Sequence, residues 1–274
     1  MMKKITAVLY LACLFMLFSS FSSDKPAVYK VKKLKGTLKV DANWDKAQWK
    51  KIEEINITNY MGKIPAFQPV VRAKMMYDKD NLYLIYKVDD QHVRIQNDKF
   101  NSSVSTDACV EFFFSPDKEW PLRYFNIEIN AGGTALMAYQ IDGKRINVKE
   151  EDFNVVEVAH TLPKKLDKEI DEPVTWYLEF KMPLTLLEKY GNYTHPEKGV
   201  EWRANFYKTS SRSTNPHYLT WAIVQNPKPQ FHLPKYFGTL IFKQQNSIWH
   251  KISLIKLRCQ VKYPAIIIKL TRSY

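Results

Sequence analysis

The sequence predicts an all-β protein: a mostly antiparallel β-sandwich of two sheets, jelly-roll or immunoglobulin-like, with one or two short helices. Three observations carry this. Aromatic residues make up 14% of a chain that is 45% hydrophobic, a composition that suits pleated, half-buried surfaces and excludes a disordered chain. Roughly ten short apolar or alternating runs follow one another at the spacing of a sandwich, with turn residues between them. The third is the stretch Thr106 to Pro116, in which Cys109, Val110, Phe112, Phe113 and Phe114 form a β-branched and aromatic run ended by Ser-Pro. Such a run reads as a strand buried on both faces. It carries Asp107 at its mouth and Glu111 in its middle, and a carboxylate there needs a partner or a site to point into.

Taken in order, residues 24–35 are a basic, extended lead-in. Gly36 to Asp41 alternates as a strand, and Trp44, Ala47, Gln48 and Trp49 at helical spacing predict one short helix over 45–51 with the tryptophans as core plugs. Ile55 to Tyr60 is a strand, and Gly62 to Pro69 a loop. Val70 to Tyr77 and Leu82 to Val88 alternate on either side of Asp78-Lys-Asp-Asn81, whose residues accept turn dihedrals, so they form a hairpin. After the focal strand, Arg123 to Asn130 sets Phe125, Ile127 and Ile129 against Tyr124, Asn126, Glu128 and Asn130. Gly132-Gly133 turns it into Thr134 to Gln140. Strands follow at Val155 to Val158, Trp176 to Met182, Gly199 to Lys208, Tyr218 to Val224 and Tyr236 to Phe242, with one or two helical turns over 183–189.

The ends differ from the body. Lys3 and Lys4 precede an apolar stretch, Ile5 to Phe18, and small serines follow. This reads as a signal peptide over 1–23 that directs the chain to secretion or the periplasm, and it is too short for a stable membrane span. The formal charge is +13. Residues 1–23 contribute +2 and residues 244–274 contribute +6, which leaves +5 for 24–243, where acids and bases intermix. A nucleic-acid binder carries its basic stripe on the folded body, so no nucleic-acid partner is expected. The domain is placed at 24–243 and residues 244–274 form a basic C-terminal extension. The chain is expected to be a monomer. Beyond the leader, Cys109 and Cys259 are read as two thiols rather than a bridge.

No nucleophile elbow, phosphate-cradling loop, Cys-x-x-Cys or His-Glu-x-x-His occurs, which leaves nucleophilic and zinc catalysis without support. No cofactor is expected. The turn aspartates 78, 80, 89, 90 and 107 offer oxygen ligands for a structural calcium, although turn capping accounts for most of them. More informative are two polar strand rows: Asn126, Glu128 and Asn130 on one, Arg203, Asn205 and Tyr207 on another. Amides, a guanidinium and a carboxylate suit sugar hydroxyls, and an exposed tryptophan supplies a stacking surface. The competing reading is that these are ordinary solvent-facing strand positions.

Several motifs in order carry a resemblance. Gly36 to Asp41 with Trp44 and Trp49, Tyr77 to Tyr83, Val88-Asp-Asp90, Asp107 to Phe114, Leu219-Thr-Trp221 and Phe231 to Thr239 together resemble family 9 carbohydrate-binding modules and their DOMON-like relatives, over about residues 28–243. The resemblance implies a secreted β-sandwich that binds glycans or their ends, with a sugar held between two tryptophans and by polar side chains. It puts Trp221 at the second tryptophan and Glu111 at the acidic position. Where the first tryptophan is expected, Val104 and its neighbours hold no aromatic, and Trp120 or Tyr60 is the substitute from another loop. Asn126 stands where an arginine is expected, which makes Arg203 the candidate guanidinium.

The expected function is therefore a non-catalytic, secreted carbohydrate-binding module serving polysaccharide catabolism, with Trp221, Glu111, Asn126, Arg203, Asn205, Tyr207 and Trp120 as site residues. The alternatives are a glycoside hydrolase or enzyme subunit using Asp107 and Glu111, and an interaction module with a degenerate sugar site.

Overall fold

The computed structural model describes residues 27–117, 119–120 and 122–244. The expected signal peptide and nearly all of the expected C-terminal extension, including Cys259, lie outside them. The described residues are all-β with three single-turn α-helices, α1 (Ala47–Lys50), α2 (Glu150–Phe153) and α3 (Thr185–Glu188).

The strands are β1 (Val28–Lys33), β2 (Ile55–Ile57), β3 (Asn59–Tyr60), β4 (Val70–Tyr77), β5 (Asn81–Asp90), β6 (Cys109–Ser115) and β7 (Tyr124–Asn130). They continue with β8 (Ala135–Ile141), β9 (Lys144–Asn147), β10 (Glu157–His160), β11 (Val174–Pro183), β12 (Glu201–Ser210), β13 (His217–Thr220) and β14 (Gly238–Lys243). Hydrogen bonding joins them in the order β10-β11-β5-β4-β1-β14-β12-β6-β7-β8-β9, with β2 beside β4, β13 beside β12, and β3 beside β13.

Pairing is mostly antiparallel, as expected, but the expected two sheets are one mixed sheet. β1 runs parallel to both of its neighbours, β14 and β4, and welds the two halves into one mixed sheet. The sheet curls so that its halves face each other. Tyr86 on β5 donates its hydroxyl to the Glu111 carbonyl on β6 at 3.1 Å, although four strands separate β5 from β6 along the sheet. Local alternation reports which face of a strand is apolar, not which edges meet, so the parallel join was not written in any one segment.

β1 also corrects the chain start. The basic lead-in holds the strand, with Tyr29 and Val31 buried and Val28 and Lys30 exposed. Residues 36–41, expected as a strand, form none. Instead the buried Glu179 of β11 accepts the backbone N–H groups of Asp41 and Ala42, the Lys46 ammonium and the Trp49 indole N–H at 2.8–2.9 Å. Trp49 is fully buried there, as a core plug should be.

The main core lies between the halves. Phe112, Phe114 and Phe206 stack at 4.6 and 4.9 Å, and each buried phenylalanine contributes about 1.5–3 kcal/mol of apolar transfer. Alternation then dictates the rest. With Phe112, Phe114, Phe125, Ile127 and Phe206 committed to the core, their neighbours Glu111, Phe113, Asn126, Glu128, Asn205 and Tyr207 occupy the opposite face of β6, β7 and β12. That face is where the site lies.

Candidate functional site

Strand β6 lies between β12 and β7, so the two polar rows of the sequence flank it on one face. Tyr207, Glu111 and Glu128 stand directly opposite one another across the three strands, and Asn205, Phe113 and Asn126 form the next row. Loops close over these rows. The turn Val104–Thr106 supplies one lip, and the segment around Pro229 to His232 supplies another. They enclose an open cup of about 210 Å³, lined by Glu111, Glu128, Thr209 and Phe113 at its base and by Ser105, Ser211, Tyr218, Pro229, Gln230, Phe231 and His232 around its rim.

The walls are aromatic and braced. Phe231 stacks on Tyr207 at 4.2 Å, and Tyr207 donates its hydroxyl to the Phe231 carbonyl at 3.2 Å. The His232 ring meets Phe113 at 4.9 Å, and its Nδ1 is 2.9 Å from the Tyr124 hydroxyl. Burial lowers the His232 pKa to about 4, so the ring is neutral near pH 7.

The base is polar and under-satisfied. Glu128 accepts one hydrogen bond, from Asn126 Nδ2 at 3.0 Å, and Gln140 holds Asn126 in turn at 2.9 Å. The buried Thr209 hydroxyl has no hydrogen-bond partner among the described residues. Glu111 is 2% exposed, and its side chain has no hydrogen-bond partner among the described residues, although the Glu111 carbonyl is bonded. Burial, and then the like charge of Glu128, push the Glu111 carboxyl well above the usual carboxylate range. Burial raises Glu128 to about 7, against the pull of Arg145 and Asn126. Buried polar groups left open around a cavity are uncommon in folded proteins and mark places where a ligand completes the bonding.

Of the seven residues singled out from sequence, the structure brings Glu111 into the cup and sets Tyr207 and Asn126 directly behind its wall and base. Asn205 exchanges two hydrogen bonds with the Ala222 backbone, at 3.0 and 2.8 Å, and pins the segment after β13. Arg203 donates to the carbonyls of Gly238, at 3.0 Å, and Phe237. Trp221 is half-buried, edge-on to Phe206 at 5.5 Å, and lines with Arg203, Asn59 and Tyr236 a second groove of about 640 Å³. Trp120 is exposed on the β6–β7 loop, with the Arg123 guanidinium 4.3 Å from its ring centre.

Asp107 is fully saturated. Its carboxylate pairs with Arg94 and accepts from the Gln96 and Asn97 backbones and from the Asn97 and Asn130 amides at 2.8–3.0 Å. A carboxylate so held orders the loop entering β6. Three of the other turn aspartates are likewise committed, Asp78 to the backbone of Asp80 and Asn81, Asp89 to Arg72 and Asp90 to Lys208. Among the described residues no group of three or more His, Cys, Asp or Glu could hold a metal ion.

Sequence reasoning missed Thr209, Tyr218, Phe231 and His232, and it left Glu128 as one member of a polar row. The parity of Glu128 with Glu111 was readable, because both oppose an apolar alternation. The loop residues had no local signal, since only the closed sheet brings 229–232 over β6.

The fold and cup together define a class: an all-β module that presents a small polar and aromatic cup on one face of a curled sheet. The sequence model of carbohydrate-binding family 9 matches residues 38–242. The chain belongs to that family. No curated protein matches it. Among solved structures, it is similar to a Bacteroides uniformis ATCC 8492 protein proposed to bind carbohydrate, at 26% identity and a TM-score of 0.72, covering 80% of this chain and 100% of that one. Two structures of a family 9 carbohydrate-binding module from Caldicellulosiruptor kristjanssonii share the fold at 16% identity. The complex with cellotriose has a TM-score of 0.56, covering 80% of this chain and 95% of that one. The glucose complex has a TM-score of 0.53, with 80% and 97% covered.

Proposed function

We propose that this chain is a non-catalytic carbohydrate-binding module that takes one pyranose ring, free or at a glycan end, in the Glu111–Glu128 cup. The observation that carries this is the pairing of unsatisfied buried polar groups, Glu111 and Thr209, with an aromatic wall in one small cavity. Hydroxyls would donate to the carboxyls, and the apolar face of a ring would pack on Phe231. About 210 Å³ falls below the roughly 300–1,000 Å³ of drug-sized ligand sites, which favours a single ring. Family membership and the sugars held by the Caldicellulosiruptor kristjanssonii module support the same reading.

The hydrolase alternative paired Asp107 with Glu111, and the Asp107 carboxylate is spent on structure. A second place for a glycan is favoured by one observation, the half-buried Trp221 beside Tyr236 and Arg203 in the larger groove. The leader-like residues 1–23 support export to the periplasm or outside, where polysaccharide is met. No described helix is long and apolar enough to cross a membrane. The DOMON-like kinship rests on the sequence motifs.

Calorimetric titration of the full chain with mono- and oligosaccharides tests the proposal. Saturable binding that Glu111→Gln weakens at least tenfold supports the cup. Binding unchanged by that substitution rejects it.

A further inference from the structure

The cup carries two acids and no cation. Its remaining polar side chains are Ser105, Thr209, Ser211, Tyr218, Gln230 and His232, and none is a cation near pH 7, since burial depresses His232 to about 4. The nearby cations are engaged elsewhere. Lys208 leaves β12 on the core side, where its ammonium lies 3.3 Å from Asp90 and 2.7 Å from the His217 ring. Arg145 is exposed on β9 and donates to Asn147 at 2.8 Å. Neither Glu111 nor Glu128 forms an ion pair with any described residue.

Building on the carbohydrate-binding reading above, we propose that the cup selects an amino sugar, a pyranose bearing a free protonated amine whose ammonium sits between Glu111 and Glu128. Residues directly opposite on paired strands hold their Cβ atoms about 4.5–5.5 Å apart, so a single nitrogen can reach both carboxyls. An ammonium has three donors, whereas a hydroxyl has one proton and can donate to one carboxyl alone. The ammonium also supplies the missing countercharge, and a charged partner is worth most where water is excluded. A uronic acid meets like charge, and N-acetylation removes the cation.

The surroundings fix the pH dependence. Tyr207 faces Glu111 from β12 and is held protonated by burial. Tyr124, on the strand of Glu128, is pushed up to about 12. Cys109, two residues before Glu111 on the same face of β6, is likewise raised by burial. These groups stay neutral, so the titrating species are the two carboxyls and the ligand's amine. Near pH 6 the pair retains protons, since Glu128 sits at about 7 and Glu111 well above its usual range. A cation binds the ionised form. Affinity therefore rises with pH through 7, protons leave the cup on binding, and affinity falls again once the amine deprotonates.

The test is calorimetry of the full chain with glucosamine against glucose and galactosamine against galactose, between pH 5.5 and 8.5. Two buffers of different ionisation enthalpy report proton release. N-acetylglucosamine and glucuronate serve as controls. The expected result is at least a tenfold preference for one amine over its neutral parent at pH 7, proton release on binding at pH 6, where the amine is fully protonated while the pair still holds protons, and a preference that collapses in Glu128→Gln. Should that variant fail to fold, proton release by the unaltered chain still decides. A neutral parent bound as tightly as its amine, or amine binding without proton release at pH 6, overturns the inference and leaves the carbohydrate reading standing. Absence of binding to every sugar overturns both.

Discussion

Glu111 and Glu128 oppose each other on β6 and β7 with both side chains buried. Like charges in that relation destabilise a strand pair, and a sequence selected for stability alone would not place them there. The pair is the centre of the proposed site and has measurable consequences for the free protein.

The first is a pH dependence of stability. Glu128 titrates at about 7 in the folded chain against an ordinary 4.5. Below 4.5 both folded and unfolded states hold the proton. Between 4.5 and 7 the unfolded state releases it while the folded state keeps it, so stability falls as pH rises, and the full loss is present above 7. Glu128→Gln keeps the bond from Asn126 and removes this penalty. Urea unfolding should show the variant more stable at pH 8, by up to about 3 kcal/mol, with no gain at pH 4. A gain of equal size at both pH values would place its cause in packing rather than ionisation.

Asp107 separates structure from catalysis. It holds Arg94 and both amides of Asn97 and Asn130, so Asp107→Asn should cost about 3–5 kcal/mol, as breaking a buried charge network does. Glycan affinity of the folded fraction, measured below the melting transition, should remain within a factor of a few. A variant that melts normally but loses binding would return Asp107 to the site.

Trp221 gives the complementary test. A Cβ at Gly238 would lie 2.6 Å from its ring, so the indole is wedged against the β14 backbone. Trp221→Ala should lower stability by about 2–4 kcal/mol, in the range for large aromatic deletions. It should leave glycan affinity nearly unchanged. Loss of affinity at unchanged melting temperature would move the sugar into the Trp221 groove.

The lip at Ser105 lacks an aromatic. Its backbone carbonyl is used, by Ser211, while its side chain lines the cup. Ser105→Trp should add a stacking surface facing Phe231 and tighten binding of a neutral glycan by roughly 1–3 kcal/mol, the usual worth of ring stacking. Weaker binding would mean that the cup needs Ser105's small volume.

How much of this was legible in the sequence follows the range of each interaction. The β4–β5 hairpin was readable because its signals are local: alternation over 70–77, then Asp78 capping the turn through the backbone of Asp80 and Asn81. Glu111 stood out because a carboxylate inside a Phe-rich strand contradicts its surroundings. β1 was missed because its lysines mask the alternation of Tyr29 and Val31, and its parallel partners, β4 and β14, lie far apart along the chain. For Trp221 and Arg203 the chain does not tell a ligand contact from a structural one, because an aromatic and a guanidinium look alike whether they meet a sugar or the backbone of Gly238. Phe231 and His232 reach the cup only through the folding of a loop, and no pattern along the chain reports that.

The most direct test of the central claim is a crystal structure of the protein soaked with a glycan that it binds. Sugar density against Phe231, with oxygen or nitrogen atoms within hydrogen-bonding distance of Glu111 and Glu128, is the predicted result. Density in the Trp221–Arg203 groove with the cup empty would contradict it.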